Sequence, residues 1–460
     1  MTTRNRQDVD AIIKAYDVRG VVDEGIDADF VRDTGAAFAA IMRGEGATQV
    51  AIGYDMRPSS PELADAFAEG VCSQGLNAVL LGLTSTDELY FAAGTLNCPG
   101  AMFTASHNPA EYNGIKLCRD EARPVSRDTG LGDIADMLVD GVPAYDGEQG
   151  TVSSQDVLAD YGAYLRNLVD IADIRPLVVA VDAGNGMAGM TTPAVLDGLP
   201  VDIRPLYFEL DGTFPNHEAN PLDPKNLVDL QKFVVEQGAD IGLAFDGDAD
   251  RCFVIDEKGQ PVSPSAICAL VAERALADEV GATIIYNLIT SQAVPETIIE
   301  NGGIGVRTRV GHSFIKAQMA ETGAVFGGEH SAHYYFREFW NADSGMLAAL
   351  HVLSALGGQD APLSEMMAKY NRYAASGEIN TRLAGPEEQK QKQDEVVKAF
   401  ASRTARIDYL DGVTVGLKDT KAWFNVRASN TEPLLRLNVE AETADEVEAL
   451  VQEILSVIRG

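Results

Sequence analysis

The chain has 460 residues, of which 46% are hydrophobic, and a formal net charge of -33. Its length exceeds what one hydrophobic core usually supports, so three or four domains are expected. The strong negative charge argues against nucleic acid or an anionic membrane as a partner, because both bind basic surfaces. An anionic substrate would therefore need a local cluster of positive charge.

Neither a membrane span nor a secretory leader is expected. No stretch is apolar enough to cross a bilayer, and Met1 to Arg6 lacks the apolar segment of a signal peptide. The five cysteines are odd in number and irregularly spaced. That pattern favours a reduced cytoplasm over a disulfide framework. The sequence does not indicate an oligomeric state.

The first three-quarters of the chain repeat one pattern of strands and helices. In the first repeat, helices begin at Ser60 and near Asp87. Each repeat resembles a βαβ unit whose last strand leads into a polar loop, which predicts three α/β domains around one cleft. The predicted strands are 50–54, 78–83 and one ending at 103, then 178–181, 201–207 and 241–245, then 284–288, 305–309 and one beginning at 324.

The last quarter of the chain predicts a smaller α+β domain that begins near residue 371. A charged helix at about 387–400 is followed by short strands, and a final helix opens at Thr443 with capping-box spacing to Glu446. The predicted short strands are 413–417, 423–426 and 434–439. The predicted domains are 1–150, 151–255, 256–370 and 371–460.

An acidic loop follows the buried strand at 241–245. Asp246, Asp248 and Asp250 alternate with small residues, and Arg251 comes next. On an extended chain this spacing places three carboxylates on one side. Three adjacent anions need a cation among them, and oxygen-only ligation suits Mg²⁺ or Ca²⁺. Arg251 indicates that a further anion, most simply a phosphate, binds at the same place.

Two other interpretations of the acidic loop stay open. In a calcium loop of the EF-hand kind, the three aspartates would be ligands 1, 3 and 5, and Glu257 would be ligand 12. The sixth position needs glycine but holds Arg251, and the flanks are predicted strands rather than helices. A solvated acidic turn is the other interpretation, because the whole chain is acidic. The position at the end of a buried strand favours a ligand site.

Ser106 is the candidate nucleophile, in the loop Thr104-Ala-Ser-His-Asn-Pro109. His107 follows it directly, and Lys116 lies farther along the same segment. A serine hydroxyl needs a base, a metal or a phosphate already in place in order to react. The chain has no Gly-x-Ser-x-Gly motif, which argues against an acyl hydrolase. A serine that only caps a turn is the alternative.

A second donor-rich loop, Arg427-Ala-Ser-Asn-Thr-Glu-Pro433, lies between two predicted strands of the last domain. Arginine, hydroxyl and amide donors in a short loop suit a dianionic phosphate. Ser-Asn-Thr is also ordinary turn sequence, so the loop by itself does not decide between these two roles.

Taken together, these motifs match a known family. They occur in the order Tyr16-Asp-Val-Arg-Gly20, Thr104-Ala-Ser-His-Asn-Pro109, Asp246-Gly-Asp-Ala-Asp-Arg251, Gly328-Glu-His-Ser-Ala-His333 and Arg427-Ala-Ser-Asn-Thr-Glu-Pro433. The chain resembles the α-D-phosphohexomutases over essentially its whole length, most closely the bacterial phosphomannomutase/phosphoglucomutase branch. Each motif alone could mislead, whereas the ordered set is specific.

The resemblance implies an isomerase that interconverts hexose 1-phosphate and hexose 6-phosphate, with mannose phosphate favoured and glucose phosphate possible. Ser106 would carry a phosphoryl group and pass it through a bound hexose 1,6-bisphosphate. Asp246, Asp248 and Asp250 would hold Mg²⁺, together with an oxygen of phosphorylated Ser106. The implied catalytic residues are Arg19, Ser106, His107, Lys116 and His312. The implied substrate-binding residues are Arg251, Glu329, Ser331, His333, Arg427, Ser429, Asn430 and Thr431.

The sugar-binding loop departs from the family pattern, and other functions stay open. Many relatives read Glu-Met-Ser-Gly-His where this chain has His330 and Ala332, which leaves the sugar preference and the loop shape open. Alanine adopts a positive φ less readily than glycine. A phosphoglucosamine or N-acetylglucosamine phosphate mutase is the alternative within the family. A metal-dependent phosphatase and a non-catalytic calcium or sugar-phosphate binding protein are the alternatives outside it.

Overall fold

A computed structural model describes residues 4–429 and 433–460, without the side chain of His312. The chain divides into two units. Unit 1 comprises Met1–Val262 with Ser331–Met366, and unit 2 comprises Ser263–His330 with Met367–Gly460. Among the described residues, no helix has both the length and the apolar composition that crossing a bilayer requires.

The first part of unit 1 is a sheet flanked by helices. Its strands are β1 (Val18–Val21), β2 (Gln49–Tyr54), β3 (Asn77–Leu83), β4 (Gly100–Phe103), β5 (Tyr112–Cys118) and β6 (Val152–Ser154). Its helices are α1 (Arg6–Ile12), α2 (Ala28–Gly44), α3 (Ser60–Ser73), α4 (Thr86–Thr95) and α5 (Leu131–Asp140). The strand order is β1-β5-β4-β2-β3-β6. β2 runs parallel to β3 and β4, whereas β5 runs antiparallel to β4.

Helices α2 and α3 pack closely because glycines lie at their contact. A Cβ on Gly35 would lie 2.4 Å from the carbonyl oxygen of Phe67, and one on Gly70 would lie 2.0 Å from that of Arg32. The ring of Phe67 also meets Phe103 edge-on, with 5.5 Å between centroids. This core contact holds the end of β4 and therefore the point at which the following loop leaves the sheet.

The second part of unit 1 is another mixed sheet. Its strands are β7 (Leu177–Asp182), β8 (Val201–Leu206), β9 (Ile241–Phe245), β10 (Cys252–Asp256) and β11 (Pro261–Val262), and its helices are α6 (Leu158–Leu168), α7 (Ala188–Leu196) and α8 (Val228–Gln237). The strand order is β11-β10-β9-β7-β8. β7 is parallel to β8 and β9, and β10 returns antiparallel to β9. All five residues of β9 are buried, as expected for a central strand.

The third segment of the chain contributes to both units. In unit 2 it forms α9 (Pro264–Asp278), β12 (Thr283–Asn287), α10 (Ala293–Glu300), β13 (Ile304–Thr308), α11 (His312–Thr322) and β14 (Phe326–Gly328). β12 pairs in parallel with β13 and β14. In unit 1 it forms β15 (Tyr334–Phe336), β16 (Ala342–Asp343), α12 (Gly345–Gly357) and all but the last residue of α13 (Leu363–Met367). β15 and β16 pair antiparallel.

The last segment, in unit 2, is an antiparallel sheet covered by two helices. Its elements are β17 (Ala374–Arg382), α14 (Pro386–Phe400), β18 (Thr404–Asp408), β19 (Val413–Leu417), β20 (Trp423–Ala428), β21 (Leu434–Ala441) and α15 (Ala444–Arg459). The strand order is β17-β21-β20-β19-β18. The Phe400 and Phe424 rings pack 4.9 Å apart in its core. The Thr443 side chain accepts from the Glu446 amide, which confirms the predicted cap of the final helix. Short 3₁₀ helices lie at Asp120–Ala122, Arg127–Thr129, Pro224–Leu227 and Arg337–Phe339.

Every strand predicted from the sequence is confirmed, with bounds that shift by no more than two residues. The strands that the pattern did not predict include β5 and β10. Each of them forms an antiparallel hairpin with the strand that precedes a polar loop. The polar loops at 104–111 and 246–251 are therefore hairpin turns. A single cleft shared by three domains stays a prediction.

Candidate active site

Two hairpin turns meet in unit 1. The serine turn, residues 104–111, connects β4 to β5, and the aspartate turn, residues 246–251, connects β9 to β10. The hydroxyl of Ser106 donates to Oδ2 of Asp246 at 2.8 Å. The structure thus brings the candidate nucleophile and the candidate metal ligands together.

Ser106 has a backbone conformation that is rare outside glycine. Its φ is 49°, in the left-handed region. Such a conformation costs on the order of 1–3 kcal/mol and persists only when its surroundings enforce it. The Ser106 amide donates to Oγ1 of Thr104 at 2.8 Å. The Ser106 carbonyl lies so near the aspartate turn that a Cβ on Gly247 would be 2.5 Å from it. Glycine at position 247 is what allows the two turns to touch.

A buried arginine also contacts the Ser106 hydroxyl. Nη2 of Arg251 donates to Oγ of Ser106 at 3.0 Å, and Nε donates to Oδ2 of Asp246 at 2.7 Å. The Nδ1 atom of His107 lies 3.2 Å from the same hydroxyl and accepts from Arg251. Arg251, together with burial, holds the pKa of His107 well below its usual value. His107 is therefore neutral, with its proton on Nε2.

The aspartates lie on a turn and not on an extended chain. The amide of Ala249 donates to the carbonyl oxygen of Asp246 at 3.1 Å, and Ala249 has a φ of 61°. The expectation that an extended chain aligns the carboxylates is wrong, because the chain must reverse between antiparallel β9 and β10. Asp246, Asp248 and Asp250 nevertheless face one another, with ligand oxygens all within 4.8 Å of each other.

Two of the aspartates offer one oxygen to the protein and have a second oxygen without a donor. Oδ2 of Asp248 accepts from Nζ of Lys116 at 2.7 Å and from Oγ1 of Thr86 at 2.6 Å. Oδ2 of Asp250 accepts from Nζ of Lys116 at 2.5 Å. The Oδ1 atoms of Asp248 and Asp250 are buried and have no hydrogen-bond partner among the described residues. These two oxygens, together with the carboxylate of Asp246, fit a hard divalent cation, whose preferred ligands are oxygens.

Burial and fixed cations set the charge of this cluster. Burial raises the pKa of Asp246 to about 7, although Arg251 opposes the shift. Burial also disfavours charge on Asp248 and Asp250, but Lys116 together with Thr86 beside Asp248 and with His333 and Arg251 beside Asp250 outweighs it, so the pKa of each is lowered. Burial likewise disfavours charge on Lys116, and the two aspartates outweigh it and raise the pKa of that ammonium. Lys116 is thus a fixed cation beside the carboxylates.

Arg19 contacts the serine turn. Its Nη1 donates to Oδ1 of Asn108 at 2.7 Å and to the carbonyl oxygen of Ala105 at 3.1 Å. Its Nη2 pairs with Asp17 at 2.5 Å. Arg19 therefore brings positive charge to the residues on either side of Ser106.

Part of the predicted sugar loop belongs to unit 1 and approaches the aspartate turn through His333. Nε2 of His333 lies 3.7 Å from Oδ1 of Asp250, and Nδ1 of His333 lies 3.2 Å from Oγ of Ser331. Ala332, between Ser331 and His333, has a φ of 66°. The loop therefore keeps a left-handed residue at this position despite the Cβ, at a cost on the order of 1 kcal/mol.

The other part of the sugar loop belongs to unit 2. Oε1 of Glu329 accepts from Nδ2 of Asn287 and from the amide of Gly311, each at 3.1 Å. Nδ1 of His330 lies 2.9 Å from Oγ of Ser265. Burial lowers the pKa of His330. A neutral imidazole therefore stands next to the buried carboxylate that was predicted to contact sugar.

The predicted phosphate loop follows β20 in unit 2. Arg427 and Arg436 pair with the two oxygens of one carboxylate, that of Glu378, at 2.9 and 3.3 Å. Nη2 of Arg436 also reaches Oγ of Ser429 at 3.3 Å. Two guanidinium groups therefore share one carboxylate beside this loop. The predicted site residues that lie outside the description are Asn430, Thr431 and the side chain of His312.

The calcium-loop interpretation is wrong. Its flanking elements, β9 and β10, are strands. Glu257, which would be the last ligand, instead accepts from the amide and the hydroxyl of Ser364 at 3.0 and 2.5 Å. The aspartate turn is a hairpin turn with a different ligand geometry.

The chain matches four family models described as phosphoglucomutase/phosphomannomutase domains. The alpha/beta/alpha domains I, II and III match residues 10–137, 159–259 and 263–373, and the C-terminal domain matches residues 378–457. The chain belongs to the phosphoglucomutase/phosphomannomutase family. Three α/β domains followed by a smaller C-terminal domain are the fold class predicted from the sequence, which is confirmed.

Relatives of this family match the chain almost from end to end. A protein named "Phosphohexose mutases" from Xanthomonas campestris pv. campestris is 38% identical over 451 residues, which cover 97% of this chain and 99% of the relative. The phosphomannomutase of Escherichia coli K12 is 37% identical over 437 residues, 93% of this chain and 94% of the relative. The crystal structure of a phosphoglucomutase/phosphomannomutase family protein from Burkholderia thailandensis superposes with a TM-score of 0.88, at 30% identity and 98% coverage of both chains.

Two buried residues that contact the turns of this phosphohexomutase-family protein were not predicted from the sequence. Thr86 donates from its amide to the carbonyl oxygen of Asp248 at 3.0 Å, in addition to its hydroxyl contact. Arg57 contacts the serine turn and is 1% exposed. Thr86 follows Ser85, which with Glu88 forms a capping box, so an earlier helix start would have found it. Arg57 follows β2, and a charged residue after a buried strand was the same signal that identified the other loops.

Proposed function

We propose that this chain is a phosphohexomutase that interconverts hexose 1-phosphate and hexose 6-phosphate through a phosphoryl group carried on Ser106. The environment of one hydroxyl carries the proposal. Oγ of Ser106 lies 2.8 Å from Oδ2 of Asp246 and 3.0 Å from Nη2 of Arg251, on a turn held against the aspartate turn. Family membership supports an isomerase that transfers a phosphoryl group within its substrate.

The proposed cofactor is Mg²⁺, held by Asp246, Asp248 and Asp250, with an oxygen of phosphorylated Ser106 as a further ligand. The buried oxygens of Asp248 and Asp250 that lack donors support this assignment. When bound, the ion supplies positive charge to the phosphoryl oxygens. Hexose 1,6-bisphosphate is the proposed activator, because it can load Ser106 with a phosphoryl group.

The proposed reaction has two half-cycles. In the first, a hydroxyl of the sugar phosphate attacks the phosphorus on Ser106, the bond from phosphorus to Oγ breaks, and the hydroxyl proton passes to a base. In the second, the bound bisphosphate presents its other phosphate, Oγ of Ser106 attacks its phosphorus, the bond from that phosphorus to the sugar oxygen breaks, and the sugar oxygen takes up a proton. Lys116 and Arg251 neutralise the phosphoryl charge, which is the main requirement of such transfers.

The side chains near the hydroxyl suit different parts of this chemistry. Lys116, held as a cation, suits neutralisation or proton donation more than proton abstraction. His107 is neutral and accepts from Arg251, so it orients that guanidinium. Arg19 brings positive charge to the residues that flank Ser106. His312 is kept as the further proton carrier in the proposal.

Two loops would bind the substrate, one its sugar hydroxyls and the other its second phosphate. Glu329, Ser331 and His333 would bind sugar hydroxyls, since a carboxylate and a hydroxyl can serve both orientations of the sugar. The two guanidinium groups that meet at Glu378 support binding of the phosphate that is not reacting. The residues proposed for that phosphate are Arg427, Ser429, Asn430 and Thr431.

Mannose phosphate is the favoured substrate, and glucose phosphate is the second. The phosphomannomutase named among the relatives supports this order. A phosphoglucosamine or N-acetylglucosamine phosphate mutase is the alternative, and His330, beside Glu329, is where the preference would be decided.

The proposed domains are the four predicted segments, and each carries one loop of the site. Residues 1–150 carry the serine turn, 151–255 the aspartate turn, 256–370 the sugar loop and 371–460 the phosphate loop. A cytoplasmic location is part of the proposal. It is supported by the cysteines, since Cys72, Cys98, Cys118, Cys252 and Cys268 are all free thiols.

Incubation with Mg²⁺, a trace of hexose 1,6-bisphosphate and separate hexose 1-phosphates tests the function. The substrates are mannose, glucose and N-acetylglucosamine 1-phosphate, and the 6-phosphates formed are measured. We expect the mannose product to form fastest, and Ser106→Ala to form none. A lack of product from all three substrates, or full activity in Ser106→Ala, would refute the proposal.

A further inference from the structure

One buried arginine donates hydrogen bonds to several backbone carbonyl groups of the serine turn. Arg57 donates from Nη2 to the carbonyl oxygens of Ser106 at 3.0 Å and Asn108 at 2.7 Å. It donates from Nη1 to those of Pro109 at 2.7 Å and Tyr112 at 2.9 Å. A single guanidinium thus donates to four carbonyl groups within seven consecutive residues, 106–112, which include Ser106.

Arg57 is itself fixed to the first sheet. Its Nε donates to Oδ2 of Asp55 at 3.2 Å, and its amide donates to Oδ1 of Asp55 at 3.1 Å. Oδ1 of Asp55 also accepts from Oγ of Ser60 at 2.7 Å. The ring of Phe214 packs under the guanidinium, 5.2 Å from its carbon to the ring centroid. Asp55 directly follows β2, a central strand. The guanidinium of Arg57 therefore fixes the serine turn relative to the first sheet.

We infer that Arg57 is the positioning residue of the phosphoryl-carrying serine, an inference that rests on the function proposed above. By holding the carbonyl oxygen of Ser106 and those of the residues after it, Arg57 keeps Ser106 in its left-handed conformation. That conformation aims Oγ between Asp246 and Arg251. Arg57 does this through the backbone of the turn and has no contact with the Ser106 hydroxyl.

Lysine cannot replace arginine in this position. A guanidinium presents five N–H donors in a planar fork, and four of its contacts here lead to different carbonyl groups. An ammonium has three donors around one atom, so some of the carbonyls would lose their partner. The positive charge opposite Asp55 would remain, which makes Arg57→Lys a test of geometry rather than of charge.

The expected defect is in turnover and not in substrate binding. Phosphoryl transfer requires an in-line approach, and a displacement of about 1 Å at the reacting atom can cost about 100-fold in rate. Within the part of the chain that the structure describes, the contacts of Arg57 lie with Asp55, Phe214 and residues 106–112, and not with residues proposed to bind the sugar. Arg57→Lys should therefore lower kcat on the order of 100-fold and change KM by less than about threefold.

A matched control exists in unit 1. Nη1 of Arg166 donates to the carbonyl oxygens of Ala194 at 2.7 Å and Val195 at 3.0 Å. Arg166→Lys removes the same kind of contact from a different segment, so it should leave kcat and KM near their wild-type values. A loss of turnover in Arg166→Lys equal to that in Arg57→Lys would overturn the inference.

Two readouts separate positioning from general stability. The first is the rate at which hexose 1,6-bisphosphate phosphorylates Ser106, followed by intact mass, which should fall with kcat. The second is amide hydrogen exchange of residues 104–112, which should speed up in Arg57→Lys while the strands of the first sheet stay protected. Unchanged exchange in the turn, or a rise in KM at constant kcat, would overturn the inference.

If Arg57→Lys does not fold, Ser60→Ala decides the question. Loss of the Ser60 hydroxyl loosens Asp55, so kcat should fall several-fold at constant KM. Unchanged kcat would overturn the inference. Failure of the inference is distinct from failure of the proposed function. An inactive wild-type protein would refute the proposed function. An active wild type together with a fully active Arg57→Lys would refute only the positioning role.

Discussion

Replacement of Asp248 by asparagine tests whether the aspartate turn holds a divalent metal. Asp248 is fully buried, its Oδ2 has two donors, and its Oδ1 has none. Asparagine keeps the shape, and its oxygen can accept from Lys116 and Thr86. Its amide N–H groups would then point where a cation needs an oxygen. We therefore expect weak metal binding in a protein that still folds, because Lys116 keeps its contact with Asp250.

The magnitude follows from the charge that is removed. Two unit charges 4 Å apart interact by about 4 kcal/mol at an effective dielectric constant of 20. Desolvation of the carboxylate offsets part of this, and a net loss of about 2.8 kcal/mol corresponds to about 100-fold weaker binding. At a Mg²⁺ concentration 100 times the wild-type Kd, the ion should add about 2.7 kcal/mol to the free energy of unfolding of the wild type. In Asp248→Asn it should add about 0.4 kcal/mol.

Chemical denaturation with and without Mg²⁺ measures this difference, and kcat at the same Mg²⁺ concentration gives the functional counterpart. Asp240→Asn is the matched control, since Asp240 accepts from the Val178 amide at 2.8 Å and pairs with Arg175 at 3.0 Å, away from the aspartate turn. Asp240→Asn should keep the full Mg²⁺ effect. An equal Mg²⁺ effect in wild type and Asp248→Asn would refute the reasoning.

Three further predictions concern neighbouring features. Thr86→Val removes a donor to Asp248 at nearly constant volume, so Mg²⁺ affinity, measured by titration calorimetry, should fall about 10-fold. Arg427→Gln removes one of the two guanidinium groups at Glu378, so KM for hexose 1-phosphate should rise about 10-fold with a smaller change in kcat. Burial raises the pKa of Glu88 to about 8 from 4.5. Between these two pH values the folded chain keeps a proton on Glu88 that the unfolded chain has lost. The free energy of unfolding should therefore fall by about 1.4 kcal/mol for each unit by which the pH rises in this range. Glu88→Gln should remove this slope in denaturation curves at pH 6, 7 and 8.

Each of these three predictions has an outcome that contradicts it. Wild-type Mg²⁺ affinity in Thr86→Val would mean that this hydroxyl does not orient Asp248. A fall in kcat at constant KM in Arg427→Gln would assign that arginine to the reacting phosphate. A pH profile of unfolding that is the same in wild type and Glu88→Gln would mean that Glu88 is ionised in the folded protein.

The two turns could be predicted from the sequence because each puts polar residues directly after a buried apolar strand. The apolar run before Asp246 and the strand before Thr104 are local patterns, and so is the alternation of the three aspartates. The hairpins that carry these turns could not be predicted in the same way. Strand pairing depends on residues that a polar turn separates, so the pattern of each repeat ended at the polar loop and did not predict β5 or β10.

The contacts of Arg57 illustrate a second limit of the sequence. Its partners on the serine turn are backbone carbonyl groups, which every residue has and which leave no trace in side-chain chemistry. The carboxylate shared by Arg427 and Arg436 is similar, because Glu378 lies on β17, far from both in sequence. Contacts between side chains of one loop can be predicted from the local sequence. Contacts between residues on different strands of a sheet require knowledge of how the strands pair.

The contact between Ser106 and Asp246 spans 140 residues, which has a consequence for synthesis. Domains fold largely as units during translation, at about 5–20 residues per second. The first sheet can therefore form on the order of ten seconds before the aspartate turn leaves the ribosome. During that interval the nascent chain has a serine turn without its carboxylates or Arg251. A truncated product that ends before β9 could thus fold its first domain and still be unable to take up a phosphoryl group, so an aborted chain would not consume the bisphosphate that primes the finished enzyme.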